Sequence, residues 1–345
     1  MMPVRILGIG TTLACGEGRE ALEAALRSDR PGLPSDVTTG RLAEFVSPDK
    51  CRRLDPMARM ALLSASLGLR DAGLSLEDAG NSRTGIVFGT ALGPQTSTFS
   101  FLDGINQYGD ALVSSLAFTN SVHNTPASIV SILLGIRGPI RTIAASGYTA
   151  GAALLTALTW VRNDDVRRVV LMLGEECSDV LQYVVRVLGG GTDAVRPFSP
   201  DCAYAPRPGL VALVLGRAKS GEGYGRIASL DVNLTVEEAA ARIAASGSPL
   251  FCAASGRAED HGVYRELRRR APSAAYSPRY GSLETGMGVE LAIAALTLRA
   301  RTVFPVPDAG DGGAAHRAPF PAEIRSVLVA SVCSPGRVTL AALEK

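Results

Sequence analysis

The residues best placed to do chemistry lie at the sharp turn Ser146-Gly147, which follows a short apolar strand and precedes an apolar helix. This layout is typical of a nucleophile elbow, where a tight turn exposes one side chain and the following helix N-terminus stabilises developing negative charge. Ser146 is the only nucleophile at the bend, so the pattern allows acyl transfer or hydrolysis on its hydroxyl. A serine also needs a base within hydrogen-bond reach and oxyanion donors; without them the two residues only form the turn.

Three histidines are the imidazoles that could serve as such a base: His123, His261 and His316. His123 lies in a Val-His-Asn-Thr-Pro segment before a helix, where a histidine more often bonds the backbone or packs at an interface. His261 follows two acids at a predicted helix start, and His316 lies in a polar glycine-rich loop at 308–317. The sequence therefore does not identify a catalytic base for Ser146.

No segment has the spacing of a metal or nucleotide site. No two of the six cysteines lie within four residues of each other, so there is neither a CxxC pair nor a zinc spacing. The segment 281–288 (GSLETGMG) lacks the Lys-Ser/Thr ending of a P-loop, and Gly8-Ile9-Gly10 lacks the third glycine of the dinucleotide fingerprint. We expect no cofactor and no metal.

The amino-acid composition and net charge exclude some classes of binding partner. With 35 Lys and Arg against 33 Asp and Glu in 345 residues, the formal charge is +2, which gives no case for nucleic acid or an anionic membrane as partner. Apolar residues make up 46%, enough for a core and too many for a disordered chain. The start, MMPVRILGIG, predicts a strand and not a signal peptide. Together with the scattered cysteines it favours a reduced, cytoplasmic protein.

Two long segments without Asp, Glu, Lys or Arg, 111–136 and 142–161, reach the length of a bilayer span. Proline, asparagine and glycine turn signals divide both of them. We therefore expect no membrane insertion and interpret both segments as deep core or as a subunit interface.

Strands and helices alternate along the whole chain, which predicts an α/β fold with mostly buried sheets. Apolar strands are predicted at 84–89, 168–174 and 210–215, a helix is predicted to begin after the N-cap Asp55, and apolar helices are predicted at 152–161 and 289–299. The order of elements repeats after residue 220. We predict two halves, an N-terminal half at 1–220 and a shortened C-terminal half at 221–345.

Taken in order, several segments resemble β-ketoacyl synthases of the thiolase fold nearly end to end. The resemblance rests on the opening RILGIGTTLACGEGREALEAALRSDRPGL, then DPMARMALLSASLGLRDAGL, RTGIVFGTALG, HNTPASIVSILLGIRGPIRT, RPFS with GLVALVL, and GSLETGMGVELAIAALTLRARTVFPVPD. It implies two duplicated halves in a layered α-β-α-β-α arrangement. The chain is short for this family, mostly in its second half.

Members of this family condense an acyl chain, held on a cysteine, with a malonyl carrier, assisted by two histidines and a lysine. Counting from the Gly-Pro pair at 138–139, the cysteine position falls on Gly147. The first histidine falls near Ala253 and the second on Ser282, while the lysine falls on Ser277. The resemblance thus implies that none of the four catalytic side chains is present.

The family's terminal Gly-Phe-Gly-Gly gate is replaced here by Cys-Ser-Pro-Gly at 333–336. A serine without a base is inert, and alanine cannot polarise a carbonyl. We therefore expect that the chain does not condense acyl units alone.

The resemblance implies a chain-length-factor type of subunit, which pairs with an active β-ketoacyl synthase and lends residues to a shared acyl tunnel in polyketide, polyene or fatty-acid-like synthesis. The acyl carrier protein would dock mainly on that partner. Candidates to line or cap the tunnel are Phe118, Thr119, His123, Asn124 and Tyr148. Two alternatives stay open: an acyltransferase or thioester hydrolase that uses Ser146, and a homodimeric binding protein on the same fold.

Overall fold

A computed structural model describes residues 2–28, 36–188, 194–199, 203–219, 221–307, 320–333 and 336–345. In this part of the chain, eleven strands form one mixed sheet: β1 (Val4–Leu13), β2 (Gly16–Glu17), β3 (Thr84–Gly89), β4 (Ile140–Ile143), β5 (Arg168–Glu175), β6 (Gly209–Arg217), β7 (Gly225–Leu234), β8 (Leu250–Cys252), β9 (Ser273–Ala274), β10 (Ser326–Cys333) and β11 (Arg337–Glu344). The order is β4-β3-β5-β6-β1-β7-β11-β10-β8-β9, with β2 paired only to β1.

The sheet consists of two half-sheets joined at one narrow place, where β1 and β7 pair only through Arg5 with Arg226 and Ile6 with Gly225. The first half-sheet is β1-β6-β5-β3-β4 and the second is β7-β11-β10-β8-β9. If β2, which has two residues, is left out and the five strands of each half are numbered along the chain, both half-sheets have the same spatial order. That order is first, fifth, fourth, second, third. In each, the first two neighbour pairs are antiparallel and the last two are parallel. One topology therefore occurs twice.

Twelve helices lie in the described residues: α1 (Arg19–Arg27), α2 (Pro48–Cys51), α3 (Pro56–Asp71), α4 (Leu76–Ala79), α5 (Gln95–Tyr108), α6 (Ser115–Ser121), α7 (Thr125–Leu134), α8 (Thr149–Arg162), α9 (Asp179–Val187), α10 (Val236–Ser246), α11 (His261–Arg268) and α12 (Met287–Ala300). Among these residues, no helix has both the length and the apolar character needed to cross a bilayer.

Three hydrophobic clusters fill the spaces between the layers. The largest lies between the half-sheets and contains α8 and α12. A second packs α3 and α7 on the outer face of the first half-sheet, and a third packs α10 and α11 on the outer face of the second. Alternation along the strands separates the faces: Val169 and Leu171 point into the central cluster, and Val170 and Met172 point outward. The α/β fold with two duplicated halves and layered helices is therefore confirmed.

The strand predictions were close, and one helix boundary was wrong. Strand β3 has the predicted limits, and the side chain of Asp55 caps α3 by accepting a hydrogen bond from the Ala58 N–H at 2.8 Å. Helix α8 begins at Thr149, three residues before the predicted start at Ala152, because the bend is completed within residues 146–148. Helices α5, α6 and α9 were not predicted from the sequence.

Close contact between β1 and α3 fixes the first half-sheet against its outer layer. A Cβ added to Gly10 would lie 2.0 Å from the Ser64 carbonyl oxygen, and one added to Gly8 would lie 2.2 Å from the Gly68 carbonyl oxygen. Both obstacles are backbone atoms of a buried helix. Only glycine fits at these two strand positions.

Gly10→Ala should therefore lower the free energy of unfolding by roughly 2 kcal/mol or more, since overpacking against backbone forces strand and helix apart. Urea unfolding followed by circular dichroism measures the loss.

Gly262→Ala on α11 is the matched control, because its added Cβ would meet no atom within 4 Å. A methyl group at this helical position should cost nothing and stabilise by up to about 1 kcal/mol. Equal midpoints for the two variants would contradict the packing argument.

Candidate functional site

The bend before α8 is centred on Ser146, whose φ is +48°. Residues 146–148 form a single 3₁₀ turn, in which the Tyr148 N–H donates to the Ala145 carbonyl at 3.0 Å. The Thr149 hydroxyl, fully buried, accepts from the Ala145 N–H at 2.9 Å and so holds the turn from below. A left-handed conformation costs a serine about 1–2 kcal/mol, so the surrounding hydrogen bonds impose it.

Ser146 is exposed in this chain, and its hydroxyl has no hydrogen-bond partner among the described residues. Gly147 is half-buried, and its φ is not positive. The side chain that the bend presents is thus the serine hydroxyl. It is exposed just before the 14-residue helix α8.

The turn lies where the two halves of the molecule meet. It contacts β10, and at the third residue of α8 a Cβ added to Gly151 would lie 2.8 Å from the Thr339 Oγ1 of β11. The same Thr339 hydroxyl lies 3.5 Å from the buried Cys333 sulfur. Ser334 and Pro335 of the gate segment, like His316, lie outside the described residues.

The candidate positions in the second half follow the ends of the parallel strands β8 and β9, so they gather at one edge of the half-sheet. Ala253 follows β8, and its N–H donates to the Ala330 carbonyl at 2.8 Å. The Ser277 hydroxyl donates to the Ala254 carbonyl at 2.6 Å. The structure therefore brings Ala253 and Ser277 into adjacent loops.

The Ser282 hydroxyl ties three loops together. It donates to the Ser255 carbonyl at 2.5 Å and accepts from the Ala205 N–H at 2.9 Å. The Ser282 N–H in turn donates to the Ala205 carbonyl at 2.9 Å. Both Ser277 and Ser282 are nearly fully buried, so their hydroxyls are committed to backbone groups rather than free for chemistry.

An ion pair joins the same loops next to these serines. The Glu284 carboxylate accepts from the Tyr204 hydroxyl at 3.0 Å and from the Arg257 guanidinium. Arg257 also lies over the Tyr204 ring, 5.4 Å from its centroid. Burial, followed by the negative charge of Glu284, raises the pKa of Tyr204, so the phenol stays protonated. Nearby, burial raises the pKa of Asp260 to about 6.

A carboxyl group is buried without a cation in the middle of the fold. Glu290, on α12, is fully buried; its Oε1 accepts from the Tyr276 N–H at 2.8 Å and the Tyr280 hydroxyl at 3.0 Å. Its Oε2 has no partner in the described residues. Burial raises the pKa of Glu290 to about 8, because two donors do not offset the loss of water. At neutral pH the group is a protonated acid.

A second buried carboxylate organises the carboxyl edge of the first half-sheet. Glu175, at the end of β5, accepts from the Thr90 hydroxyl and from the Ala91 and Leu92 N–H groups at 2.8–3.1 Å. Burial raises the pKa of Glu175 to about 7, although these donors favour the charged form. The group holds the loop after β3 in place and lies away from solvent.

The predicted tunnel residues lie in the stretch from α6 to the turn before α8, and four of the five are exposed. Phe118, 56% exposed, contacts the Phe101 ring at a centroid distance of 5.3 Å. His123 is exposed and packs over Gly93. Thr119 and Asn124 are exposed at the end of α6 and the start of α7, and Tyr148 is half-buried in the turn. Whether a tunnel runs past them stays a prediction.

Residues 41–166, about a third of the chain, match the sequence model of the β-ketoacyl synthase N-terminal domain. This stretch contains β3, β4, the 146–148 turn and α8. A search of curated proteins finds no significant match.

Solved structures extend the likeness of this synthase-like chain to its whole length. A β-ketoacyl synthase from Burkholderia phymatum STM815 has a TM-score of 0.82 at 17% identity and covers 100% of each chain. The ishigamide ketosynthase/chain length factor has a TM-score of 0.81 at 16% identity, covering 100% of this chain and 99% of its own. A third, AntDE:AntF, is a type II polyketide synthase acyl-carrier protein in complex with its ketosynthase bound to the hexaketide; it scores 0.79 at 15% identity and covers 99% of each chain. At these identities the likeness shows the fold.

Four polar residues of the candidate site were missed by the sequence reasoning: Tyr204, Arg257, Glu284 and Glu290. Glu290 could have been found, because it is the only ionisable residue in an apolar run of helix α12. The other three come from segments far apart in the chain, and no local pattern links them. Their pairing is a product of tertiary structure.

The buried acid predicts a pH dependence of definite sign. The folded protein holds the Glu290 proton more tightly than the unfolded chain does. The contribution of this proton to the free energy of unfolding is therefore greatest below about pH 4.5 and declines as pH rises towards 8. Glu290→Gln mimics the protonated acid at every pH. Its free energy of unfolding should exceed that of wild type by roughly 2–4 kcal/mol at high pH and by little at low pH, measured by urea unfolding at about pH 5 and pH 8.5.

Glu77→Gln, at an exposed position of α4, removes the same charge without touching the core and is the control. If wild type and Glu290→Gln keep the same difference in stability across this range, the acid is not protonated in the folded protein.

Proposed function

We propose that this chain is a non-catalytic, ketosynthase-like subunit of the chain-length-factor type. It pairs with an active β-ketoacyl synthase in polyketide, polyene or fatty-acid-like synthesis and shapes the acyl tunnel between them. The observation that carries the proposal is chemical: at the four positions where the family resemblance places cysteine, two histidines and lysine, the chain has Gly147, Ala253, Ser282 and Ser277.

Decarboxylative condensation needs a thiolate to hold the acyl chain and donors that stabilise the developing enolate. Glycine and alanine supply neither group. The hydroxyls of Ser277 and Ser282 are bonded to backbone at 2.5–2.9 Å, so neither can turn towards a substrate without breaking the ties between loops. The Arg257–Glu284 pair strengthens those ties. The geometry thus supports a scaffold rather than a reaction centre.

If the family's cysteine position corresponds to Ser146 instead of Gly147, a shift of one residue, the condensation chemistry is still missing. A serine hydroxyl is a weak nucleophile unless an adjacent base takes its proton. Ser146 has no hydrogen-bond partner in the described residues, so no base is engaged with it. The proposal therefore holds for either register.

The structural relatives agree with a paired role. One is a ketosynthase/chain length factor, and another is a ketosynthase in complex with its acyl-carrier protein. We propose that the carrier protein docks mainly on the active partner, and that this chain contributes Phe118, Thr119, His123, Asn124 and Tyr148 to the shared tunnel. Phe118, Thr119, His123 and Asn124 are exposed and Tyr148 is half-buried, so a partner can contact them. We also propose that the chain divides into two halves, at 1–220 and 221–345.

Reconstitution tests this function. The purified chain alone should give no elongated product from an acyl-carrier thioester and malonyl carrier, whereas its mixture with a type II ketosynthase that retains cysteine and both histidines should. In the active mixture, Phe118→Ala should shift the product towards longer chains, because it removes an aromatic ring from the tunnel; mass spectrometry of the carrier-bound product reads the length.

Val232→Ala, which removes another partly exposed apolar side chain from β7, should leave the product length unchanged. Elongation by the chain on its own would show that the proposal is wrong.

The left-handed, exposed Ser146 supports one alternative, an acyltransferase or thioester hydrolase that uses this hydroxyl. A strained turn that presents a nucleophile at a helix N-terminus is the expected geometry of such a site. Incubation with an acyl thioester, followed by intact mass, separates the two functions. We expect no adduct on the wild-type chain. An adduct that Ser146→Ala abolishes and Ser114→Ala, at an exposed N-cap, retains would favour the alternative.

A further inference from the structure

One buried carboxyl group holds the loop that follows β3, residues 90–93. Glu175, at the end of β5, is 3% exposed and accepts a hydrogen bond from the Thr90 hydroxyl at 2.9 Å. It also accepts from the N–H groups of Ala91 at 2.8 Å and Leu92 at 3.1 Å. Three donors of a single short loop therefore converge on one side chain, and each of them needs an acceptor because the site is closed to water.

The loop ends in a tight turn at Gly93, which is tied to the same carboxyl group. The φ of Gly93 is +70°, and its N–H donates to the Thr90 hydroxyl at 3.0 Å. The Thr90 hydroxyl thus donates to Glu175 and accepts from Gly93. Because this hydroxyl links the two, the position of the turn depends on the position of the carboxyl group.

The imidazole of His123 lies directly against this turn. A Cβ added to Gly93 would lie 2.6 Å from the His123 Nε2 and 2.8 Å from its Cδ2, so the ring takes up the space that a larger residue would need. His123 comes from a different segment, between α6 and α7. Its ring nitrogens have no hydrogen-bond partner in the part of the chain that the structure describes. The turn at Gly93 is therefore a main support of the ring.

The backbone around His123 is held independently of the turn. The Thr125 hydroxyl donates to the Thr119 carbonyl at 2.6 Å, and the Thr125 N–H donates to the Val122 carbonyl at 3.1 Å. Release of the loop at 90–93 would therefore free the imidazole and leave its backbone in place.

We infer that Glu175 is a positioning residue, which sets the orientation of the His123 imidazole through the loop at 90–93. The inference rests on the proposed function, in which His123 belongs to the acyl tunnel. It adds a buried residue that touches no acyl chain and still determines product length. An imidazole without its support can turn aside and leave more room, so loosening the loop should lengthen the product.

The link between Glu175 and His123 can be tested without a partner protein. Glu175→Ala leaves three buried donors without an acceptor, so amide hydrogen exchange at residues 90–93 should become at least about tenfold faster, as measured by mass spectrometry. In the proton NMR spectrum, the Cε1–H resonance of His123, assigned with His123→Ala, should shift. Glu175→Gln keeps an acceptor oxygen and the side-chain volume, and should restore most of the wild-type signal.

Two further variants separate this link from a general loss of stability. Gly93→Ala displaces the imidazole directly, so it should shift the His123 resonance although Glu175 is intact. Ser64→Ala is the matched control, since it removes a fully buried hydroxyl that is bonded to the Thr12 hydroxyl at 2.7 Å and the Leu210 carbonyl at 3.2 Å. It should lower stability and leave the His123 resonance unchanged.

Reconstitution with an active ketosynthase tests the effect on the product. Glu175→Ala and His123→Ala should each shift the carrier-bound product towards longer chains. The double variant should give the same product as His123→Ala alone, because both changes act through one imidazole. Thermal melts establish that each variant is folded; if Glu175→Ala is not, Thr90→Val takes its place, since it cuts the link to Gly93 and keeps the volume.

The inference is overturned if the folded variant leaves the His123 resonance unchanged, if Ser64→Ala shifts it equally, or if the double variant lengthens the product beyond His123→Ala. These results leave the proposed function standing as long as the wild-type chain still complements a ketosynthase. If the imidazole moves as expected but no ketosynthase is complemented, the proposed function is wrong and the link between Glu175 and His123 remains.

Discussion

The two half-sheets bury one shared layer of helices, and the rest of the structure depends on this shared burial. Helix α12 is buried along Met287–Leu298, and α8 is buried on the sides that face both half-sheets. Because the layer has no access to water, its residues must be small or apolar, and close approaches occur at glycines. A Cβ on Gly288 would lie 2.8 Å from Leu173. The duplicated topology follows, since each half must supply one central helix and one sheet to cover it.

Several buried polar groups of this frame lie near the carboxyl ends of the strands, where loops satisfy them. Glu175 there has three donors, and Ser282 has both a donor and an acceptor. Glu290 differs from these groups, since it lies within the central layer and keeps one oxygen unpaired in the described residues. The group remains neutral by holding its proton, which is the least costly state of a carboxyl in such surroundings.

The sequence predicted the elements whose burial produces a recognisable pattern in the local sequence. Continuous apolar strands, the Asp55 cap and the apolar helix α12 each have such a pattern. Helices α5, α6 and α9 do not, because their apolar residues are mostly exposed on the single chain and α6 and α9 bury none of their side chains fully. Of the site, the bend at residues 146–147 was visible as a glycine turn after a strand. That Ser146 takes the positive φ, and that Arg257, Glu284 and Tyr204 meet, depends on packing between distant segments that no spacing encodes.

The shared central layer has a consequence during synthesis. Helix α8 emerges from the ribosome with the first half-sheet, but α12 and the second half-sheet that cover its other side are still more than a hundred residues from completion. Until they arrive, an apolar surface of the nascent chain faces water, and the N-terminal portion cannot reach its final packing. The length of this interval is set by translation of the last third of the chain, which carries β8 to β11 and α12.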